Sequence, residues 1–578
     1  MIVHVVGDDP VREEVVAALG DVDVETRSAT VDELSEARFG IVTDVAGSDR
    51  FGYANVNALD GDTPWIAVEV GGVGGKPMVD VDAAVSAFGP ETGCFQCLQA
   101  RVASTRNTYT MTANPRAERA DVRLAGAIAG REAVRILEDA GETLLGSVIE
   151  VPYRERRVWP VPVCRCDRSG RDRSLDLADE DSLSLDAAAD AAELAVDGRL
   201  GPVISIGEAE SYPAPYYITT NANTQPYSEA KMPENAAGVD ADWNAAFVKA
   251  IGESLERYCA GVYREHDFEI TSADELENPL EPSAFLRPDD GAPFDPSEEY
   301  RWVDGISLAD REPISLPADA VHFPQPGDGL VPQITTGLGL GSSTADALVS
   351  GLAEVIERDA TMLAWYSTFE PLGLEVDNEE FETLERRVAA EGLTVTPLLV
   401  TQDVDVPVVA VAVHRSDGDE WPAFAMGSAA GLDGVEAARS ALAEAVQNWM
   451  ELRSIGPEAA ADAGAWIGDY ASFPAAAREL IDVEKTVDAE SVGPETAPEG
   501  SAAVDALVDR TVEAGLTPYA ARVTTRDVEE MGFEAVRVVV PEAQPLFTDE
   551  PYFGERAETV PADLGYEPVL DRDPHPYP

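Results

Sequence analysis

The chain has 578 residues, with 41 basic against 108 acidic side chains and a formal net charge of −67, yet 45% of it is hydrophobic. A disordered acidic tail carries no such apolar content, and a surface of this sign argues against nucleic acid and anionic membranes as partners. Only Lys76, Lys231, Lys249 and Lys485 are lysines, a balance that fits a halophilic protein, because screening over ~3 Å at molar salt removes self-repulsion.

In chain order, "IVHVV" reads as an apolar strand and "DDPVREEVVAAL" as a helix with Asp9 as cap and Pro10 in its first turn; "FGIVTDV" and "TPWIAVEV" are further strands. These predict a small α/β domain over residues 1–170. Its first turn offers a dinucleotide only Gly7, with Asp9 and Arg12 where further glycines are needed, so it reads as a structural turn. The opening "MIVHVVGDDP" has neither a basic n-region nor a cleavage site, and no apolar run approaches the roughly eighteen residues of a membrane span. A cytoplasmic location is expected.

Four cysteines lie in this domain. Cys94 and Cys97 form C-x-x-C, and Cys164 and Cys166 form C-x-C, together enough thiolates for tetrahedral zinc. Reduced or redox-active thiols are the alternative, and Cys259 reads as a buried free thiol. A charged, Ser-rich stretch between Asp167 and Asp186 predicts a linker at 171–181, followed by a larger mixed domain over 182–578.

Within that larger domain "KAIGESLERYCA" and "GLAEVIERDA" repeat one device. At helical spacing Glu253, Glu256 and Arg257 share one face, as do Glu354, Glu357 and Arg358, on segments otherwise built of small and apolar residues. Carboxylates are costly to bury unless a cation compensates them. A third copy, Glu382, Glu385 and Arg386, sits in the amphipathic "NEEFETLERRVAAEGL" and reads as a surface salt-bridge pattern. Another helix, "ARSALAEAVQNWMELR", adds Glu444 and Gln447 one turn apart. Inward carboxylates from separate helices make an oxygen-rich cage suited to Mg²⁺, which commonly carries nucleotide phosphates as well.

The run "TTGLGLGSSTADALVSGLAEVIERDATMLAW" resembles the central signature of YcaO proteins; "AAFVKAIGESLERYCAG", "ARSALAEAVQNWMELR" and "MGFEAVRVVVPEAQPL" resemble further YcaO segments in matching order. The first domain looks like the ThiF-like, Rossmann-like zinc domain associated with peptide cyclodehydratases. The resemblance implies an α/β and α+β protein that binds ATP without a P-loop and activates backbone amides of a peptide or protein substrate. It points to cyclodehydration of Cys, Ser or Thr to thiazoline or oxazoline, as in bacteriocin-type maturation. Thioamidation with external sulfide and a non-catalytic peptide-binding scaffold are the alternatives. By position, Glu253, Glu256, Glu354 and Glu357 would hold Mg²⁺, while Arg257, Arg358, Ser342 and Asp346 would help bind ATP. The chain departs from the family at Lys249, where serine is common, and at Ser342, where asparagine is common. A homodimer is expected.

The closing "PHPYP" forbids helix and reads as a stiff, solvated strut ending in a free carboxylate. It resembles the ending of azoline-forming YcaO enzymes, which implies a catalytic role for Pro574, Pro576 and Pro578. His575 is not assigned one.

Overall fold

A computed structural model describes the chain except residues 1, 141–142, 153, 168–169, 180–181, 289–292, 328, 416–419, 463–465 and 548–549. It divides into two compact units. The first comprises residues 1–171, 194–205 and 220–234, and the second 172–193, 206–219 and 235–578. Residues 194–205 and 220–234, expected with the second domain, therefore pack with the first. Burial explains the first of these: the Arg199 guanidinium lies 2.8 Å from Glu150 and from Asp80, and Asp197 pairs with Arg156.

The first unit is a seven-stranded sheet. Strands Glu25–Ser28, Ile2–Val6, Gly40–Val45 and Trp65–Val70 run parallel, and Ala83–Phe88, Ser147–Val151 and Arg154–Arg157 continue antiparallel. Alternation sorts its side chains between two cores. Val3, Val5, Ile41 and Ile66 meet helices Val11–Gly20 and Arg119–Leu137; Val6, Val42 and Ala67 meet helices Arg50–Asp60 and Phe95–Ser104. Pro10 itself occupies the N-cap position of the first helix, and Asp9, expected to cap it, makes no such bond. Gly7 has φ of 125°, and a Cβ there would lie 2.3 Å from Thr43 Cγ2. Glycine serves a close approach between neighbouring strands.

In the second unit a six-stranded and a five-stranded sheet share a core with one long helix. Three helices matter most: α1 (Trp243–Gly261), α2 (Thr344–Trp365) and α3 (Gly434–Asp462), the last interrupted at Gly456. Asp242 caps α1 by accepting from the Ala245 amide at 3.0 Å, and Ser343 caps α2 by accepting from the Asp346 amide at 3.1 Å. Helix α2 buries Leu348, Leu352, Ile356 and Trp365 in the core shared with both sheets. Its backbone approaches strand Leu338–Gly341 so closely that a Cβ on Gly339 would lie 2.2 Å from the Ala347 carbonyl oxygen. Helix α3 packs the same way on strand Phe424–Ala430, where a Cβ on Gly427 would lie 2.4 Å from the Ala445 amide.

The predicted linker has no helix or strand among its described residues, and 180–181 lie outside them. It is not a loose tether. Asp179 accepts from the Thr344 amide at 2.9 Å, and Arg522 donates to the Asp172 carbonyl at 3.1 Å.

Candidate functional site

The two E-x-x-E-R helices meet in the second unit. On α1, Glu253 accepts from the Ala237 amide at 3.0 Å, and Arg257 lies 3.7 Å from Glu253 and 3.5 Å from Glu256. On α2, Glu354 accepts from the Gly337 amide at 2.9 Å, and Glu357 accepts from the Ser428 hydroxyl at 2.6 Å. Arg358 stands 3.4 Å from Glu357 and 3.9 Å from Glu444 of α3, whose other oxygen accepts from the Ser428 amide at 2.6 Å.

These groups feel one another's charge. Burial pushes Glu256 up to about 7, and Glu354 and Glu253 add to the rise against the opposing pull of Arg257. Glu444 also rises to about 7 through burial, with Glu357 and Glu354 contributing. Glu357 is raised by burial, again with Glu354 nearby. A third guanidinium completes the cluster: Arg537 is lowered to about 10 by burial, with Arg257 pushing the same way and Glu354 and Glu256 opposing. It is held in place by donating to the Thr335 carbonyl at 2.7 Å and the Ile334 carbonyl at 3.0 Å. Glu253, Glu256, Glu354, Glu357 and Glu444 thus outnumber Arg257, Arg358 and Arg537 by two. A cluster with two more carboxyls than guanidiniums, three of those carboxyls raised by burial, fits divalent cations with oxygen ligands, whose charge would favour the ionised form.

Other predicted residues lie apart from this hydrogen-bonded cluster. Ser342 donates to Asp346 at 3.0 Å and accepts from the Leu183 amide at 2.9 Å; Asp346 also accepts from Ser182 at 2.8 Å. Their bonds go to the segment docked on the start of α2 rather than to the glutamates. Lys249 pairs with Asp240 at 2.6 Å. The third E-x-x-E-R copy is on the surface, with Arg386 bonding Glu382 at 3.1 Å between largely exposed side chains.

The tail overturns one expectation. His575, Pro576 and Tyr577 are buried, with Tyr577 only 2% exposed, so the segment is not a solvated strut. The physical reason is its two-residue alternation, which keeps the chain extended while His575 and Tyr577 enter apolar surroundings. His575 donates from Nε2 to the Phe547 carbonyl at 2.8 Å, and burial depresses its imidazole to about 4, leaving it neutral. Trp365 donates to the Asp573 carbonyl at 2.9 Å, and Arg358 donates to a Pro578 oxygen at 3.1 Å. The tail therefore reaches the same arginine as Glu357 and Glu444. Prolines 574, 576 and 578 carry no side-chain group able to move a proton.

Three members of the site lay beyond the sequence-based assignment. Arg537 had a signal, a lone cation in the apolar strand Glu534–Val539. Glu444 had one in its spacing to Gln447, although it was not assigned to the cofactor site. Ser428 had none, because small residues surround it in "FAMGSAA".

In the first unit, Cys94, Cys97, Cys164 and Cys166 converge, with all four sulfurs within 4.8 Å of one another. Individual separations are 3.9 Å for Cys94–Cys97, 3.7 Å for Cys94–Cys164 and 3.5 Å for Cys97–Cys166. A tetrahedron of sulfurs about 2.3 Å from a zinc ion has edges of ~3.8 Å, so the donors fit that metal. All four are free of disulfide bonds. The Asn55 amide donates to Cys94 at 3.7 Å and the Val161 amide to Cys97 at 3.3 Å, contacts that suit thiolates. Cys259 is buried in the second unit, 3.6 Å from the Thr525 hydroxyl.

Residues 237–544 match a family described as YcaO cyclodehydratase, ATP- and Mg²⁺-binding. An uncharacterized protein of Methanothermobacter thermautotrophicus is 31% identical over 224 residues, which span 37% of this chain and 56% of that protein. Among solved structures, a heterocyclase in complex with substrate and cofactor superposes with a TM-score of 0.76 at 17% identity, over 100% of this chain and 84% of that one. The heterocyclase TruD gives 0.68 at 17% identity, over 98% and 82%. At that identity the likeness establishes a shared fold. Among the described residues, no helix is long and apolar enough to cross a membrane.

Proposed function

The chain belongs to the YcaO family, and from that premise we propose that it uses ATP to activate backbone amides of a peptide or protein, converting Cys, Ser or Thr to thiazoline or oxazoline. The observation that carries this reading is the cluster joining α1, α2 and α3, where Glu253, Glu256, Glu354, Glu357 and Glu444 meet Arg257, Arg358 and Arg537. Bound Mg²⁺ would neutralise phosphate charge during transfer to the amide oxygen.

The chain's own residues prepare that step. Glu253, Glu256, Glu354 and Glu357 are the proposed metal ligands, and the amides of Ala237 and Gly337 fix two of them. Arg257 and Arg358 orient neighbouring carboxylates and offer planar donors to phosphate oxygens. Arg537, buried and fastened to two carbonyls, supplies a fixed positive charge where negative charge develops. Ser342 and Asp346 remain proposed ATP contacts, which requires the 182–183 segment to yield them. Pro574, Pro576 and Pro578 hold the tail extended beside Arg358. We assign Cys94, Cys97, Cys164 and Cys166 to structural zinc, because the compact four-sulfur set leaves no protein ligand position open.

The test is mass spectrometry of a Cys- or Ser-rich peptide incubated with protein, Mg²⁺ and ATP. The proposal expects loss of one water per azoline with matching ADP release. A gain of about sixteen mass units, oxygen exchanged for sulfur, would move the chain to thioamidation. ATP turnover that no peptide stimulates would contradict both.

A further inference from the structure

We propose that Ser428 is a positioning residue that sets Glu357 and Glu444 for the cation; this rests on the Mg²⁺-nucleotide reading of the cluster. One residue on strand Phe424–Ala430 addresses carboxylates from two helices. Its amide donates to Glu444 Oε2 on α3 and its hydroxyl donates to Glu357 Oε1 on α2, both at 2.6 Å. The side chain is buried, with the residue 4% exposed.

The two bonds differ in kind. The amide belongs to a strand that pairs in register with Val408–His414, Ser428 opposite Ala410, and the neighbouring Gly427 leaves α3 no room to shift inward. Glu444 is therefore clamped by backbone. Glu357 has a hydroxyl, the one side-chain donor in a strand otherwise of Phe, Ala, Met and Gly, with Arg358 farther off at 3.4 Å from the same oxygen. A hydroxyl is costly to bury in such surroundings unless it is bonded, and here its bond crosses from strand to helix. Each carboxylate commits one oxygen to the serine. Glu357 keeps Oε2 and Glu444 keeps Oε1, the latter 3.9 Å from Arg358. Donors behind a ligating carboxylate fix its orientation and commonly change metal affinity by about 10- to 100-fold when removed.

The experiment compares wild type, Ser428→Ala and Ser428→Thr. Binding of the non-hydrolysable ATP analogue AMP-PNP is measured calorimetrically in molar KCl across a Mg²⁺ titration, with melting recorded in the absence of Mg²⁺. Ser428→Ala should need roughly 10-fold more Mg²⁺ for half-maximal binding, and Ser428→Thr, which keeps the hydroxyl and suits a strand, should restore the wild-type requirement. An unchanged Mg²⁺ requirement in Ser428→Ala, with melting lowered or not, would overturn the role, as would a weakened Ser428→Ala that Ser428→Thr fails to rescue. Wild type that binds no Mg²⁺-nucleotide would sink the underlying reading as well, so the two failures are distinguishable.

Discussion

The cysteine cluster and the glutamate cluster solve the same problem, gathering anionic ligands, by opposite routes. Four sulfurs come from the start of helix Phe95–Ser104 and from one loop in the first unit, with separations close to the edge length of a zinc tetrahedron and two supporting N–H donors. Five carboxylates come from three helices in the second, and each needs a separate device to be tolerated: the amides of Ala237 and Gly337, the two donors of Ser428, and three arginines. Four thiolates at these separations would close a tetrahedral zinc site, the kind that contributes stability. Carboxyls that burial raises, each with an oxygen not tied to a backbone amide or hydroxyl, would ionise fully beside a cation, which suits an exchangeable metal and its phosphate cargo.

That contrast should break first at the cysteines. Cys97→Ser, removing a fully buried ligand, should cost on the order of 5 kcal/mol or more of first-unit stability, because zinc-binding free energy is folding free energy. Calorimetric melting with elemental analysis checks it: wild type should carry about one zinc per chain. Metal-free wild type with reactive Cys94 and Cys164 would end the zinc assignment.

Tyr577→Ala probes the tail next to the glutamates and should cost about 3 kcal/mol, the scale of truncating a buried aromatic. Deleting Pro574 to Pro578 should therefore lower both stability and turnover. Denaturant melts that leave the variant as stable as wild type would restore the picture of a solvated strut.

The glutamates should answer differently. Glu354→Gln and Glu357→Gln should each weaken Mg²⁺-dependent nucleotide binding by roughly 100-fold, near 2.7 kcal/mol, with folding retained. Relief of like-charge repulsion should leave melting without Mg²⁺ unchanged or raised, the reverse of the cysteine outcome. Binding that survives both substitutions would mean the ligands are misassigned.

The smallest effect belongs to the surface copy. Arg386→Gln breaks an exposed bond to Glu382 and should change stability by about 0.5 kcal/mol or less, with no effect on nucleotide binding. A binding defect there would deny that context separates the three copies.

Much of this was readable in the chain because it is local. Helical spacing alone put Glu253 with Glu256 and Glu354 with Glu357, and apolar surroundings separated them from the amphipathic copy at Glu382. Apolar runs identified the first strands. What escaped was carried by packing between distant elements. Ser428 lies 71 residues from Glu357, the glutamate its hydroxyl addresses, and its importance follows from a strand register that no short motif encodes. Residues 194–205 join the first unit through Arg199, whose partners Asp80 and Glu150 lie far back in the chain, and through Asp197, paired with Arg156. The tail misled for a related reason: alternating prolines specify an extended backbone, but not whether His575 and Tyr577 between them face water or core.

The most direct test is calorimetry of the wild-type protein with AMP-PNP in molar KCl, with Mg²⁺ and then with excess EDTA. A glutamate cage predicts saturable binding that requires Mg²⁺ and vanishes in EDTA. Binding of equal strength without the metal, or none with it, would contradict the account.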